Sequence, residues 1–482
     1  MEWYFYILIA VGILLIAFVS VILIRTALFK PDKRKIEQIQ EVEFDKDKAV
    51  ECLQQLVRCK TISYDDHSLE DKNEFEKLVN LLPTLYPNVA NSCELKRFDG
   101  GALLYKWKGK SDSQPIVLMS HYDVVDVVEE NWLNPPFDGV IENGELWGRG
   151  VVDTKATLNA SMFAVNHLIE NGFTPENDVY LAFSGGEEVN GEGAKNIVAY
   201  FKQQGVSPQL VLDEGGAVVQ NVFPGVKQSC GLIGIAEKGL INLKYSVKSA
   251  GGHASAPKPN SPIVVLSESC QKVEKNPFKF SLTPPVAQMF DKLGRHSTFV
   301  YRMIFANLWL FKGVLNKMCV KNGGDLNALL RTTVAFTQAE GSKGYNVIPP
   351  VASMTSNIRL NPVDTVESGV EYLKKVINNP NVKLEVINGY NPSRVSRTDV
   401  DGYKKIENAV ISTWNDVLVS PYLMVQCSDS RHYGEISDRV YRFSAMDLTS
   451  EERATVHGNN ERLHLGAIHK SVEFYIRLLK QC

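Results

Sequence analysis

A chain of 482 residues is longer than one hydrophobic core normally serves, so more than one domain is expected. Its formal net charge of −3 leaves no basic footprint for nucleic acid, and a hydrophobic content of 44% excludes wholesale disorder.

The first predicted element is a membrane helix. Residues 3–24, WYFYILIAVGILLIAFVSVILI, carry no charge. As a helix they would span about 33 Å, enough for the hydrocarbon core of a bilayer. Trp3, Tyr4 and Tyr6 stand at one end, as an interfacial belt does. The chain starts Met-Glu, the apolar run is long and no A-x-A pattern follows, which favours a single-pass anchor over a cleaved signal peptide. Arg25, Lys30, Lys33, Arg34 and Lys35 follow the span, and the positive-inside rule would leave the folded part in the cytosol. The eight cysteines show no CxxC and fit either buried thiols or scattered bridges. The sequon Asn159-Ala160-Ser161 falls in a predicted helix. The side of the membrane therefore stays open, with a secreted or vacuolar (lumenal) location as the alternative.

Residues 25–45 read as a charged connector. From 46 onward, short β-rich runs alternate with amphipathic stretches of helix length, the pattern of an α/β domain. PIVLMS (115–120), DVYLAFS (178–184) and QLVLDE (209–214) are apolar runs bounded by turn residues, as buried parallel strands are. Helices are expected near 155–170 and 192–204. A catalytic domain would thus occupy 46–235 and resume at 391–482, with a strand at 440–445 and a closing helix near 463–480. Between the two parts, 236–390 reads as an inserted α+β, ferredoxin-like unit of lid or dimerisation type. Its strands are expected at 240–249, 351–360 and 382–388, and its helices at 261–275 and 366–378. Within it lies an apolar insertion, 277–330, which includes Phe290, Phe299, Tyr301, Trp309 and Met318. It is core, a wall for a greasy substrate, or a surface resting on the membrane.

Acids and histidines recur where these strands end. SHYDVV places His121 and Asp123 two residues apart, so that both point the same way in an extended chain. His121 can bind a metal through one ring nitrogen while Asp123 takes the proton of the other. GRGVVDTK brings Asp153, FSGGEEVNGEG brings Glu187 and Glu188, and LVLDEGG brings Asp213. A lone Glu-Glu pair is ordinarily a solvated loop. Four acid-bearing strand ends in succession instead line the rim where open α/β sheets bind ligands. A further histidine near the carboxyl terminus would complete the set, with His457, His464 and His469 as rivals. Histidine and carboxylate ligands without cysteine suit zinc or another divalent first-row ion. Two ions need about five ligand residues if one carboxylate bridges them. Divalent ions acidify water toward neutral pH, and a carboxylate that is not a ligand can collect the proton.

In order and separation, HYD, GRGVVDTK, GGEE, LDEGG, GGHASAP, NVIPP and HGNNE resemble the aminoacylase/carboxypeptidase clan of dizinc metallopeptidases. DSRHY (429–433) and ANLWLF (306–311) bring the chain closest to the carboxypeptidase S and N-fatty-acyl-amino-acid synthase/hydrolase branch. The resemblance covers roughly 46–482. It implies two zinc ions per chain, bridged by Asp153, with His121 and Asp213 on one and Glu188 and His457 on the other. His457 is preferred because it alone heads the HGxNE pattern. Glu187 would be the general acid/base and Asp123 would orient His121. In the lid, His253 would steady the oxyanion, and Asn346 and Arg359 would hold a free carboxylate. The implied reaction is cleavage, or formation, of the amide joining an acyl or peptidyl group to a carboxyl-terminal amino acid. The substrate would be an N-acyl amino acid or short peptide, and homo-oligomerisation is left open. The alternative is a membrane-anchored, non-catalytic binding protein on a peptidase fold.

Overall fold

In the computed structural model, which describes residues 2–31 and 41–482, the charge-free run forms helix α1 (Glu2–Leu28). Residues 32–40 of the predicted connector lie outside the described residues. Along the chain follow β1 (Glu94–Phe98), β2 (Ala102–Trp107), β3 (Ser111–His121), α2 (Ala156–Glu170), β4 (Asn177–Ser184), α3 (Gly193–Gln204), β5 (Leu210–Asp213) and β6 (Cys230–Glu237). Then come β7 (Gly239–Lys248), α4 (Pro262–Lys275), α5 (Pro284–Gly294), α6 (Phe299–Ala306), α7 (Leu308–Asn322) and β8 (Thr333–Glu340). The chain closes with β9 (Val351–Leu360), α8 (Val366–Ile377), β10 (Lys383–Tyr390), α9 (Asp401–Thr413), β11 (Leu418–Met424), β12 (Val440–Arg442) and α10 (Leu465–Leu479).

The main sheet runs β1-β2-β4-β3-β5-β12-β6, with β11 beside β6. Its centre is parallel: β3 pairs in parallel with β4 and β5, and β5 with β12. All four residues of β5 are buried, as are the last seven of both β3 and β4. A strand covered on both faces needs an unbroken apolar run, which is what these segments supply. Helices α2 and α10 pack against one another, and Leu158, Phe163, Phe474 and Leu478 join the core with Leu118 and Leu181 of the sheet. Because β3 and β4 are in register with His121 beside Ser184, their carboxyl ends open on one rim.

The second unit is an antiparallel sheet of order β8-β9-β7-β10. In chain order that is second, third, first, fourth, the split βαβ arrangement of a ferredoxin-like fold. Helices α4 and α8 bring Leu266, Val273, Leu373 and Ile377 onto Ile241, Leu243 and Ile358. The insertion is helical. Its Met289, Phe290, Leu293 and Phe305 form a separate core with Phe223 and Leu423, while other apolar side chains of α6 and α7 face outward. All eight cysteines are free. Asn159 is fully buried, with its amide on Ala49 O at 3.0 Å, so the one sequon is no accessible glycosylation site.

Candidate active site

Asp123 organises the first part of the site. His121 Nδ1 is 3.0 Å from the Asp123 carbonyl and 3.4 Å from its carboxylate. The same carboxylate accepts from Ser63 Oγ at 2.8 Å and from the backbone N–H groups of Glu187 and Glu188, each at 3.1 Å. It therefore holds both the histidine and the acidic turn, with the other ring nitrogen of His121 left facing the carboxylates of Asp153 and Glu214. Glycine makes this turn fit. A Cβ on Gly185 would stand 2.7 Å from the Tyr122 ring.

Asp153 lies on the turn leading into α2, and its two oxygens face different histidines. Oδ1 is 3.0 Å from His121 Nε2, and Oδ2 is 3.0 Å from His457 Nε2. Its backbone is fixed by Glu461, whose carboxylate accepts from Asp153 N at 3.2 Å, Val152 N at 2.8 Å and Gly150 N at 2.9 Å. Arg149 Nη1 donates to the same carboxylate at 2.7 Å, and both side chains are buried. Burial works against ionised Asp153, but the hydrogen bonds of His121 and His457 outweigh it and hold the carboxyl far below its ordinary range.

Glu188 stands 3.1 Å from His457 Nε2. His457 has a φ of +59°, in the left-handed region, which turns its ring back over the cleft. Hydrogen bonds to Asp153 and Glu188 push its imidazolium up to about 10. The rival histidines are engaged elsewhere or set apart: His464 pairs with Glu452 and Asp447, and His469 is not among the clustered side chains. Burial pushes Glu187 well above the ordinary carboxyl range, with His121 opposing it and Asp429, Glu214 and Glu188 adding to it.

The end of β5 separates two neighbouring acids. Asp213 turns to the backbone of the segment after β11, accepting from Ser430 N at 2.9 Å. Glu214 turns the other way, with Oε1 3.5 Å from His121 Nε2, and burial together with Asp153 pushes it up to about 8. Two triads consequently have their ligand atoms within 4.8 Å of one another: His121, Asp153 and Glu188, and His121, Glu187 and Glu214. Glu214 and Glu461 are the residues the sequence reading passed over.

This donor set fits divalent cations. It consists of imidazole nitrogens and carboxylate oxygens, with Asp153 offering one oxygen to each side. Its carboxylates outnumber its histidines and are largely withdrawn from solvent, an arrangement that positive charge relieves.

The lid residues do not join this cluster in one place. His253 pairs with Val347 across a short ladder, and Ala254 N donates to Asn346 O at 2.9 Å, so His253 and Asn346 travel together. Arg359 lies at the far end of β9, where it donates to Asn357 Oδ1 at 3.1 Å and touches Cys427 Sγ at 3.3 Å. From Val351 to Arg359 the strand covers about 26 Å at 3.3 Å per residue. Within one chain, Asn346 and Arg359 thus do not close on one carboxylate. Next to Arg359, a cavity of about 480 Å³ opens between lid and main domain, lined by Val189, Asn190, Leu240, Tyr390 and Arg431. The Arg431 guanidinium sits 4.8 Å from the centre of the Tyr390 ring.

Residues 117–481 match the model of peptidase family M20/M25/M40. The chain is 34% identical over 481 residues to a probable carboxypeptidase S-like protein of Dictyostelium discoideum, covering 97% of this chain and 92% of the relative. It is 31% identical over 478 residues to an N-fatty-acyl-amino acid synthase/hydrolase of Xenopus tropicalis, covering 97% and 93%. Among solved structures, the M20 family metallo-carboxypeptidase Sso-CP2 of Sulfolobus solfataricus superposes with a TM-score of 0.67 at 18% identity, covering 90% of this chain and 98% of the other. Human carnosine dipeptidase 1 superposes with a TM-score of 0.62 at 14% identity, covering 90% and 96%.

Proposed function

The chain belongs to peptidase family M20/M25/M40 and is a hydrolase, and from that premise we propose that it cleaves the amide between an acyl group and a carboxyl-terminal amino acid, and forms it in reverse. The observation that carries this reading is the pairing of Asp153 with two histidines, one oxygen to each, inside a cluster of histidine and carboxylate donors. We assign two zinc ions to the cluster, with His121 and Glu214 on one side of Asp153 and Glu188 and His457 on the other. Glu214 takes the place that spacing alone gives to Asp213, because Asp213 is engaged with Ser430 N.

Bound there, the ions supply Lewis acidity toward the carbonyl and the attacking water. The chain's own groups do the rest. Asp123 keeps His121 and the Glu187–Glu188 turn in place. Glu187 takes the proton of the water and returns it to the leaving amine nitrogen. Arg359, with Arg431 across Cys427, receives the product carboxylate; a guanidinium fork suits that group. His253 and Asn346 enter as oxyanion and carboxylate partners when lid movement or a second copy brings their end of the lid to a cleft. The complete donor set does not favour a non-catalytic binding protein.

The name of the Xenopus relative supports a fatty acyl group, and α1 supports a membrane-anchored enzyme. The test is a turnover profile of metal-counted protein on a panel of N-acyl amino acids and dipeptides. Long-acyl amino acids should be turned over at least about tenfold faster than acetylated ones, the discrimination that a few buried methylenes give. Equal rates would remove the lipid substrate and leave the amidohydrolase.

A further inference from the structure

Helix α1 is more than a tether. Its final turns are docked on the elbow between α6 and α7, two apolar helices that meet at 112°. Arg25 donates to Ala306 O at 3.0 Å, and the buried Asn307 amide reaches Ile22 O and Thr26 Oγ1, each at 3.3 Å. Thr26 is fully buried in this joint. Higher up, the Trp309 ring meets Phe18 edge-on at 5.9 Å.

These contacts set the depth of the elbow. Phe18 lies about 9 Å inside the end of the charge-free run at Ile24, at 1.5 Å per residue. A bilayer that accepts α1 therefore meets Trp309 as well. The outward face of the elbow is suited to that. Trp309 is 57% exposed, Val314 64%, Phe299 54% and Val300 60%, although their neighbours Phe305 and Leu315 are buried in the core beneath. Along α7, the exposed Lys312 stands between these apolar positions, its long stem able to carry the ammonium to the headgroups. Lys317 and Lys321 follow them, as basic residues do where a helix leaves hydrocarbon for anionic headgroups.

We propose that the α6–α7 elbow is a second membrane element, a wedge inserted beside α1 into the leaflet nearest the main domain, with the lipid bilayer as its occupant. The enzyme is then held against the membrane by two elements with a fixed relative position, rather than hung from a single helix. The inference rests on α1 being retained in the bilayer, and α1 serves as the internal reference in its test.

The full chain is reconstituted in vesicles of phosphatidylcholine with a minority of phosphatidylserine, doped with a phosphatidylcholine that carries a diazirine in its acyl tail. After illumination, lipid adducts are mapped by peptide mass spectrometry. Adducts are expected on residues 299–320 as well as on 3–24. V314D, an exposed change, should lower the elbow adducts several-fold and leave those of α1 unchanged. Adducts on α1 alone overturn the wedge and spare the anchor. Adducts on the elbow without α1 would overturn the anchor and, with it, a wedge placed beside α1. Adducts on neither, unchanged elbow labelling in V314D, or elbow-to-elbow crosslinks between two copies without lipid adducts would each overturn the proposal.

Discussion

Removing the carboxylate of Glu461 should unfasten Asp153 without touching any metal ligand. That carboxylate accepts four hydrogen bonds, from Arg149 and from the backbone of Gly150, Val152 and Asp153, and it is fully buried. Hydrogen bonds to a charged group contribute about 1.5–3 kcal/mol each, but they share one acceptor and do not add. The larger consequence is Arg149, left in the interior with Gly458 O as its remaining acceptor. Breaking one side of a buried ion pair costs about 3–5 kcal/mol, and Glu461→Ala should lie in that range. This is a large share of a typical total of about 5–15 kcal/mol. The fall should be read from urea unfolding at constant slope, in chelated and zinc-loaded protein. Loss of the backbone clamp should also weaken zinc about 10–100-fold in competition with a chelator, the usual effect of removing a group that positions a ligand. A loss below about 1 kcal/mol with unchanged zinc affinity would refute the clamp, because four contacts of this kind cannot be silent.

Glu187→Gln should reduce turnover by at least about a hundredfold while zinc content stays near wild type; an active variant would remove Glu187 as the acid/base. Glu214→Gln and Asp213→Asn separate the two neighbouring acids. The first should lower bound zinc, whereas the second should keep it and lose stability as Ser430 N loses a charged acceptor, both read by elemental analysis and thermal unfolding. His464, held by Asp447 and Glu452, has its imidazolium pushed up to about 10 from an ordinary 6.5. A raised folded value stabilises fully below pH 6.5 and fades as the pH climbs through 10. His464→Gln should therefore cost about 1–2 kcal/mol near pH 6 and less near pH 10. A gap that does not change with pH would contradict this.

The strands that carry the site were legible because parallel strands buried on both faces must be continuous apolar runs, and 115–120, 178–184 and 209–214 are. Their carboxyl ends, and with them His121, Glu187 and Glu188, followed from the fold class. The choice between Asp213 and Glu214 did not. Adjacent residues at a strand end point to opposite sides, and composition cannot say which side holds the histidine. Glu461 was visible as the last acid of HGNNE, but a carboxylate that accepts backbone N–H groups leaves no spacing of its own. Strands β6 and β11 are faintly marked in the sequence for a similar reason. CGLIGIAE carries two glycines and LVSPYLM a proline, both poor strand signals that tertiary pairing overrides. The motif order also brought Asn346 and Arg359 together in sequence logic, whereas an extended β9 holds them apart.

The central claim is that Asp153 stands between two divalent ions. Crystals of the zinc-loaded protein, measured on both sides of the zinc absorption edge, test it most directly. Two anomalous peaks flanking Asp153, one reached by His121 and Glu214 and the other by Glu188 and His457, are the expected result. An active, metal-replete protein with no peak between those side chains, or with Asp213 rather than Glu214 on the ion, would contradict the account.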